Sequence, residues 1–225
     1  MTASLVDLVR PATALLIDFD GPICSLFAGY PAEKIADELR ALVEARGFAV
    51  TARGPVQLLQ EVANLGDRAL THEVAEAAWR AELAAAASAT PTPGADLLLD
   101  AAHDTGRRVA FVSNNSQVAV LSYLFGHDLG NGDLAIGRHE KMDPRRLKPD
   151  PYLVRSALKH LPAAPDEAVF IGDSPSDIEA GRVAGVATIG YANKPGKRKK
   201  LAEADAVIDS LDELVSALQA APVTT

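Results

Sequence analysis

The chain has 225 residues, enough for one ordinary domain or for a core that carries a smaller insertion. Its 30 acidic and 22 basic side chains leave a formal charge of −8, which argues against nucleic acid or an anionic membrane as the main partner, since both demand a broad basic surface. A single cysteine, Cys24, excludes an intramolecular disulfide and fits a reducing compartment.

The first strong signal is the apolar run Ala14-Leu15-Leu16-Ile17, stopped by Asp18-Phe19-Asp20-Gly21. It is far too short for a signal sequence or a membrane span, so a cytoplasmic protein is expected. A short apolar run ended by polar residues and glycine reads as a buried strand whose functional end points out of a sheet.

From Pro31 to about Ala89 the period becomes helical. Ile35, Leu39, Leu42 and Val43 mark one helix before Gly47, and Val56, Leu58, Leu59 and Val62 mark a second ending near Gly66. Leu70, Val74, Ala77, Ala78, Ala81 and Leu83 mark a third, with room for a break. Thr90-Pro91-Thr92-Pro93-Gly94 is then a stiff, non-helical connector.

Beyond the connector, strands and helices alternate. Helix is expected over 95–104, strand over 108–112, helix to about Phe125, and a weak strand over 134–136. A helix follows over 151–161, a strand over 168–171, and a helix through Val183. Short strands at 187–190 and 206–208 flank a basic helix, and a last helix covers 211–218. This pattern indicates an α/β fold, a three-layer Rossmann-like parallel sheet core with a small all-helical unit inserted after the first strand. The expected division is a core of 1–22 and 92–225, and a helical cap domain of 23–91.

In an open parallel sheet, ligands bind outside the carboxyl ends of the strands. Three of those ends carry unusual polar residues: Asp18 with Asp20, Ser113 with Asn114, and Asp173. Lys148 joins them in the loop Leu147-Lys148-Pro149-Asp150-Pro151. Carboxylates gathered at one edge repel unless a hard cation sits among them, and magnesium prefers such oxygen ligands. Serine, asparagine, lysine and helix N-terminal amides suit an anion instead. A cation site beside an anion site describes a phosphoryl-transfer centre.

Asp18-Phe19-Asp20-Gly21, Ser113-Asn114, Lys148 and Gly172-Asp173-Ser174-Pro175-Ser176-Asp177 resemble the four ordered motifs of the haloacid dehalogenase superfamily, phosphoglycolate phosphatase-like and β-phosphoglucomutase-like branch. The resemblance covers essentially the whole chain. It implies a magnesium-dependent phosphomonoester hydrolase with Asp18 as nucleophile and Asp20 as acid/base, passing through an aspartyl-phosphate. It also implies Ser113, Asn114 and Lys148 on the phosphate, and Asp18, Asp173 and the Asp20 carbonyl on the metal. Asp177 would act from behind or through water.

An acid working at neutral pH needs a raised pKa, which crowding by carboxylates can supply to Asp20. The expected partner is a small soluble phosphorylated metabolite, with no nucleic acid or membrane, on a monomer or homodimer. One departure stands out: Pro22 replaces the family's usual threonine and puts the local turn in question. A phosphomutase shares every core residue and is the alternative enzyme. A non-catalytic binding protein on the same fold is the alternative of another class. Asp20 argues against dehalogenation, which needs no proton donor for a leaving oxygen.

Blander roles remain for several residues. Ser113 to Ser116 can cap a helix, as can Ser174 or Asp177. Cys24 reads as a small buried apolar residue, and Trp79 as packing. The five histidines show no metal-ligand spacing. The basic run Lys194 to Lys200 reads mainly as a solvated helix start, with a lesser role in attracting anions.

Overall fold

The computed structural model describes residues 4–130 and 132–223, so 1–3, 131, 224 and 225 of the expected core lie outside the described residues. In chain order the elements begin with α1 (Leu5–Val9), β1 (Ala14–Ile17), β2 (Cys24–Ser25), α2 (Ala32–Ala45), α3 (Pro55–Asn64), α4 (Arg68–Ala86) and β3 (Thr90–Pro91). They continue with α5 (Ala95–Asp104), β4 (Arg108–Ser116), α6 (Gln117–Gly126), β5 (Leu134–Arg138), α7 (Tyr152–His160) and β6 (Ala168–Gly172). The last are α8 (Pro175–Ala184), β7 (Ala187–Tyr191), α9 (Lys197–Lys200), β8 (Ala206–Ile208) and α10 (Leu211–Gln219).

Six parallel strands form one sheet in the order β5-β4-β1-β6-β7-β8. β1 is central because all four of its residues are buried, so both faces can be covered. Its pleat divides them: Leu15 and Ile17 join the core beneath α5, α6 and α10, whereas Ala14 and Leu16 join the core beneath α7 and α8. The chain leaves β1 towards β4 on one side and returns through β6 on the other. That reversal opens a crevice at the carboxyl ends of β1, β4 and β6, where Asp18, Ser113 and Asp173 emerge.

Helices α2, α3 and α4 surround a separate core of Ile35, Leu39, Val43, Leu58, Leu59, Val62, Leu70 and Val74. The chain enters and leaves this unit through β2 and β3, which pair antiparallel. α4 is a single unbroken helix of 19 residues, contrary to the expected room for a break. Its interior is rich in alanine, the best helix former, and the Asp67 side chain caps it by accepting the N–H groups of Ala69 and Leu70.

Two other boundaries differ from the sequence expectation. β4 runs on to Ser116 rather than stopping at Val112, with a shift of register against β5 between those residues. The short helix α1 has five residues, too few for a 3.6-residue period to register. No helix among the described residues is long and apolar enough to cross a membrane.

Candidate active site

Lys148 is the hub of the crevice. Its ammonium donates to Asp18 Oδ1 at 2.7 Å and to the Val112 carbonyl at 2.8 Å, and lies 2.6 Å from Asp177 Oδ1. Asn114 fixes the lysine's backbone: its amide nitrogen donates to the Lys148 carbonyl at 3.0 Å, and its oxygen accepts the Lys148 N–H at 2.8 Å. Both ends of the Asn114 side chain are therefore used in placing Lys148. The Ser113 hydroxyl accepts the Asn115 N–H at 3.1 Å, which leaves its own proton available to an anion.

Asp177 is buried in the first turn of α8. Its Oδ2 accepts from the N–H of Ser174 at 3.0 Å and from that serine's hydroxyl at 2.5 Å, closing the start of the helix. The capping role and the site role thus fall on the same side chain, one oxygen for each. A Cβ on Gly172 would lie 2.3 Å from the Asp177 Cβ, so only glycine lets the end of β6 pass this close.

Ligand oxygens of Asp18, Asp173 and Asp177 come within 4.8 Å of one another. The Asp20 side chain stands apart from that trio, with its Oδ1 accepting the N–H of Leu26 at 2.9 Å. Gly21, between the two groups, has φ +114°, and a Cβ there would sit 2.4 Å from Asp173 Oδ2. Pro22 does not disturb this turn. Backbone bonds from Ile23 and Gly21 close it, and the Thr92 hydroxyl on the return connector donates to the Gly21 carbonyl at 2.6 Å.

Burial, reinforced by the charge of Asp177 and opposed by Lys148, holds the Asp18 carboxyl well above the usual carboxylate range. Burial also pushes Asp20 up to about 6, with Asp173 adding to the rise and the Leu26 N–H opposing it. Carboxylate crowding is thus the lesser cause for Asp20, and desolvation the greater. Burial works against the Lys148 ammonium, but Asp177 and Asp18 outweigh it and keep that group above the ordinary lysine value.

The basic run, read from sequence mainly as solvated, divides in the structure. Lys199 and Lys200 are exposed, whereas the Lys197 ammonium reaches Asp173 Oδ2, which also accepts from Asn193 Nδ2 at 3.0 Å. Lys194 lines the cleft that leads to Asp20. Asn193, Lys194 and Lys197 were missed as site residues, although they follow the carboxyl end of β7, the neighbour of β6. The rule that pointed to the other strand ends applies equally to that one. Cys24 lies in the apolar core, with burial raising its thiol pKa, as its sequence context suggested.

The chain belongs to the haloacid dehalogenase-like hydrolase family, which matches residues 12–185. It is similar to a phosphoglycolate phosphatase of Salmonella paratyphi A, with 28% identity over 122 residues, 53% of this chain and 48% of the relative. The chain thus spans about half the length of that relative. A plasmid-encoded phosphoglycolate phosphatase of Cupriavidus necator matches along more of its length, 28% identical over 92% of this chain and 94% of the relative. Among solved structures, a hydrolase from Pseudomonas syringae superposes with TM-score 0.70 at 18% identity, covering 94% of this chain and all (100%) of that one. A β-phosphoglucomutase from Clostridium difficile gives TM-score 0.68 at 15% identity, with 93% and 98% covered. Both structural likenesses speak for the fold.

Proposed function

We propose that this protein is a magnesium-dependent phosphatase of small soluble phosphate esters, with Asp18 as nucleophile and Asp20 as general acid and base. The observation that carries the reading is the Lys148 ammonium seated between Asp18 and Asp177, with Asp173 close by and the raised carboxyl of Asp20 alongside. Phosphatase names among the relatives support it.

The donor set fits a hard divalent cation. Burial, with the neighbouring carboxylates, holds the Asp18 carboxyl above its ordinary range, and a magnesium ion among these oxygens would oppose that rise. Asp18, Asp173 and the Asp20 backbone carbonyl would hold the ion, with Asp177 bound mainly to Lys148 and Ser174 behind them. When bound it supplies neutralisation of charge on the phosphoryl oxygens.

Lys148 takes Oδ1 of Asp18, so Oδ2 is the oxygen left to attack phosphorus. As that P–O bond forms, the bond to the leaving oxygen breaks and Asp20 delivers its proton there. Asp20, now a carboxylate, removes a proton from a water that attacks the aspartyl-phosphate. Inorganic phosphate leaves and Asp18 is regenerated. Ser113 and the backbone beside Asn114 receive the phosphoryl oxygens. The helical unit 23–91 serves as the cap: Phe27, Ala28 and Ala32 line the cleft beside Asp20 and hold bulk water from the leaving group.

Phosphate release from a panel of esters, with and without magnesium, tests the proposal, with folded Asp18→Asn and Asp20→Asn variants as controls. Magnesium-dependent release lost in both variants is expected. Phosphate retained on a sugar product would point to the mutase instead. Absence of both release and magnesium binding would leave a non-catalytic protein.

A further inference from the structure

The cleft that opens beside Asp20 has a volume of about 480 Å³ and two unlike walls. Phe27, Ala28 and Ala32 form an apolar wall from the helical unit, and Asn193 and Lys194 form a polar wall from the loop after β7. Asp20 and Asp173 sit at its floor. A phosphate ester placed with its phosphorus at Asp18 directs its leaving oxygen to Asp20, so the rest of the leaving group extends between these walls.

Lys194 is the cation on that path. It is exposed and makes no ion pair among the described residues, unlike Lys197 on Asp173 and Arg198 on Asp209 in the same run. It lines the same cleft as Asp20, which puts it on the path of a leaving group whose oxygen meets that carboxyl. Asn193 is held by its bond to Asp173, so the loop that presents Lys194 is anchored to the site floor. A mobile surface lysine would have no such anchor one residue away.

We infer that Lys194 is a specificity-determining residue that selects esters whose leaving group carries a second anionic group, a carboxylate or another phosphate. The inference rests on the phosphatase reading and adds to it a substrate class and the residue that reads it. The leaving group it describes has an apolar edge against Phe27 and Ala28 and a negative end towards Lys194.

The test measures kcat/KM with magnesium for two matched pairs: 2-phosphoglycolate against 2-hydroxyethyl phosphate, and glucose 1,6-bisphosphate against glucose 1-phosphate. Preference within the first pair identifies a carboxylate, and within the second a phosphate. Lys194→Gln should lower the anionic-to-neutral ratio roughly fivefold or more, chiefly through KM, as expected for loss of one partly exposed charge contact. Lys194→Glu should lower it further and raise the relative rate with phosphoethanolamine. Lys199→Gln, an exposed lysine of the same run away from the cleft, should leave the ratio as it is. Equal losses on both members of each pair in Lys194→Gln, or an unchanged ratio, would overturn the inference and leave the phosphatase standing. No release from any ester by the unaltered chain would remove both.

Discussion

Two buried ion-pair systems lie a short distance apart, and they are built on opposite principles. At the seam between the helical unit and the sheet, Arg138 at the end of β5 binds both oxygens of Glu82 on α4 at 2.7 Å. Glu82 also accepts the Ser116 N–H at 2.8 Å, and Arg138 reaches the Ala75 carbonyl at 3.3 Å. One positive charge meets one negative charge, with side chains 5% and 1% exposed. In the crevice, Lys148 is equally buried at 2%, yet it faces Asp18 and Asp177 together, with Asp173 beyond on Lys197 and the Asp20 carboxyl close by without an ion pair among the described residues. The seam is electrically complete and the crevice carries excess negative charge. A balanced pair belongs to the architecture, whereas an unbalanced one stores electrostatic strain that a bound cation can relieve.

The largest expected contrast comes from removing one carboxylate in each system. Asp18→Asn should lower kcat by about 10³-fold or more, since no other group supplies the nucleophile. In chelator its unfolding free energy should hold or rise, because a buried and repelled carboxylate has gone. Glu82→Ala should behave in the reverse sense. Stranding Arg138 in the seam should cost about 3–5 kcal/mol in denaturant unfolding. The pair replacement Glu82→Leu with Arg138→Met should recover much of that loss. A stability loss in Asp18→Asn as large as in Glu82→Ala would break the contrast.

Asp20 gives a smaller effect with a definite dependence on pH. Its folded pKa of about 6 lies above the ordinary carboxylate value, so ionising it opposes folding. The penalty is absent below about pH 4, develops as pH rises through the folded value, and is complete above it, at about 3 kcal/mol at most. In chelator, Asp20→Asn should therefore stabilise the protein at pH 8 and leave it unchanged at pH 4, by thermal unfolding at the two pH values. Equal effects at both would mean that the desolvation of Asp20 is not what sets its titration.

Much of this was legible in the sequence because the physics concerned was local. β1 and β6 are apolar runs buried on both faces, and such runs announce themselves without long-range information. The residues Asp18, Asp20, Lys148 and Asp173 were legible as an ordered set at strand ends and a loop. What stayed hidden depends on contacts between distant segments. Thr92 supplies the hydroxyl to the turn at Pro22 from 71 residues along the chain. Lys197 enters the site only because β7 lies beside β6 and the backbone turns at Gly196, φ +82°. The Glu82–Arg138 tie joins a charged helix residue to a strand end 56 residues later. Glu82 does fall on the buried stripe of Val74, Ala78 and Ala85, but its charge hides that from the sequence. Asn114 was legible as a site residue, but its commitment to the Lys148 backbone was not.

The smallest predicted effect addresses how far the seam couples the two units. Asp67 caps α4 through two backbone N–H groups, far along the helix from Glu82. Asp67→Ala should cost about 1 kcal/mol, typical for loss of an N-cap. If the helical unit opens by itself, hydrogen exchange will quicken in α2, α3 and α4 and spare β1, β4 and β6. If the Glu82–Arg138 pair binds the units into one cooperative system, protection will fall by the same factor in both. The second pattern is expected, because breaking the seam leaves both Arg138 and the Ser116 N–H without their partner, a penalty larger than the lost cap. Under that pattern, adding Glu82→Ala should restrict the effect of Asp67→Ala to the helices alone.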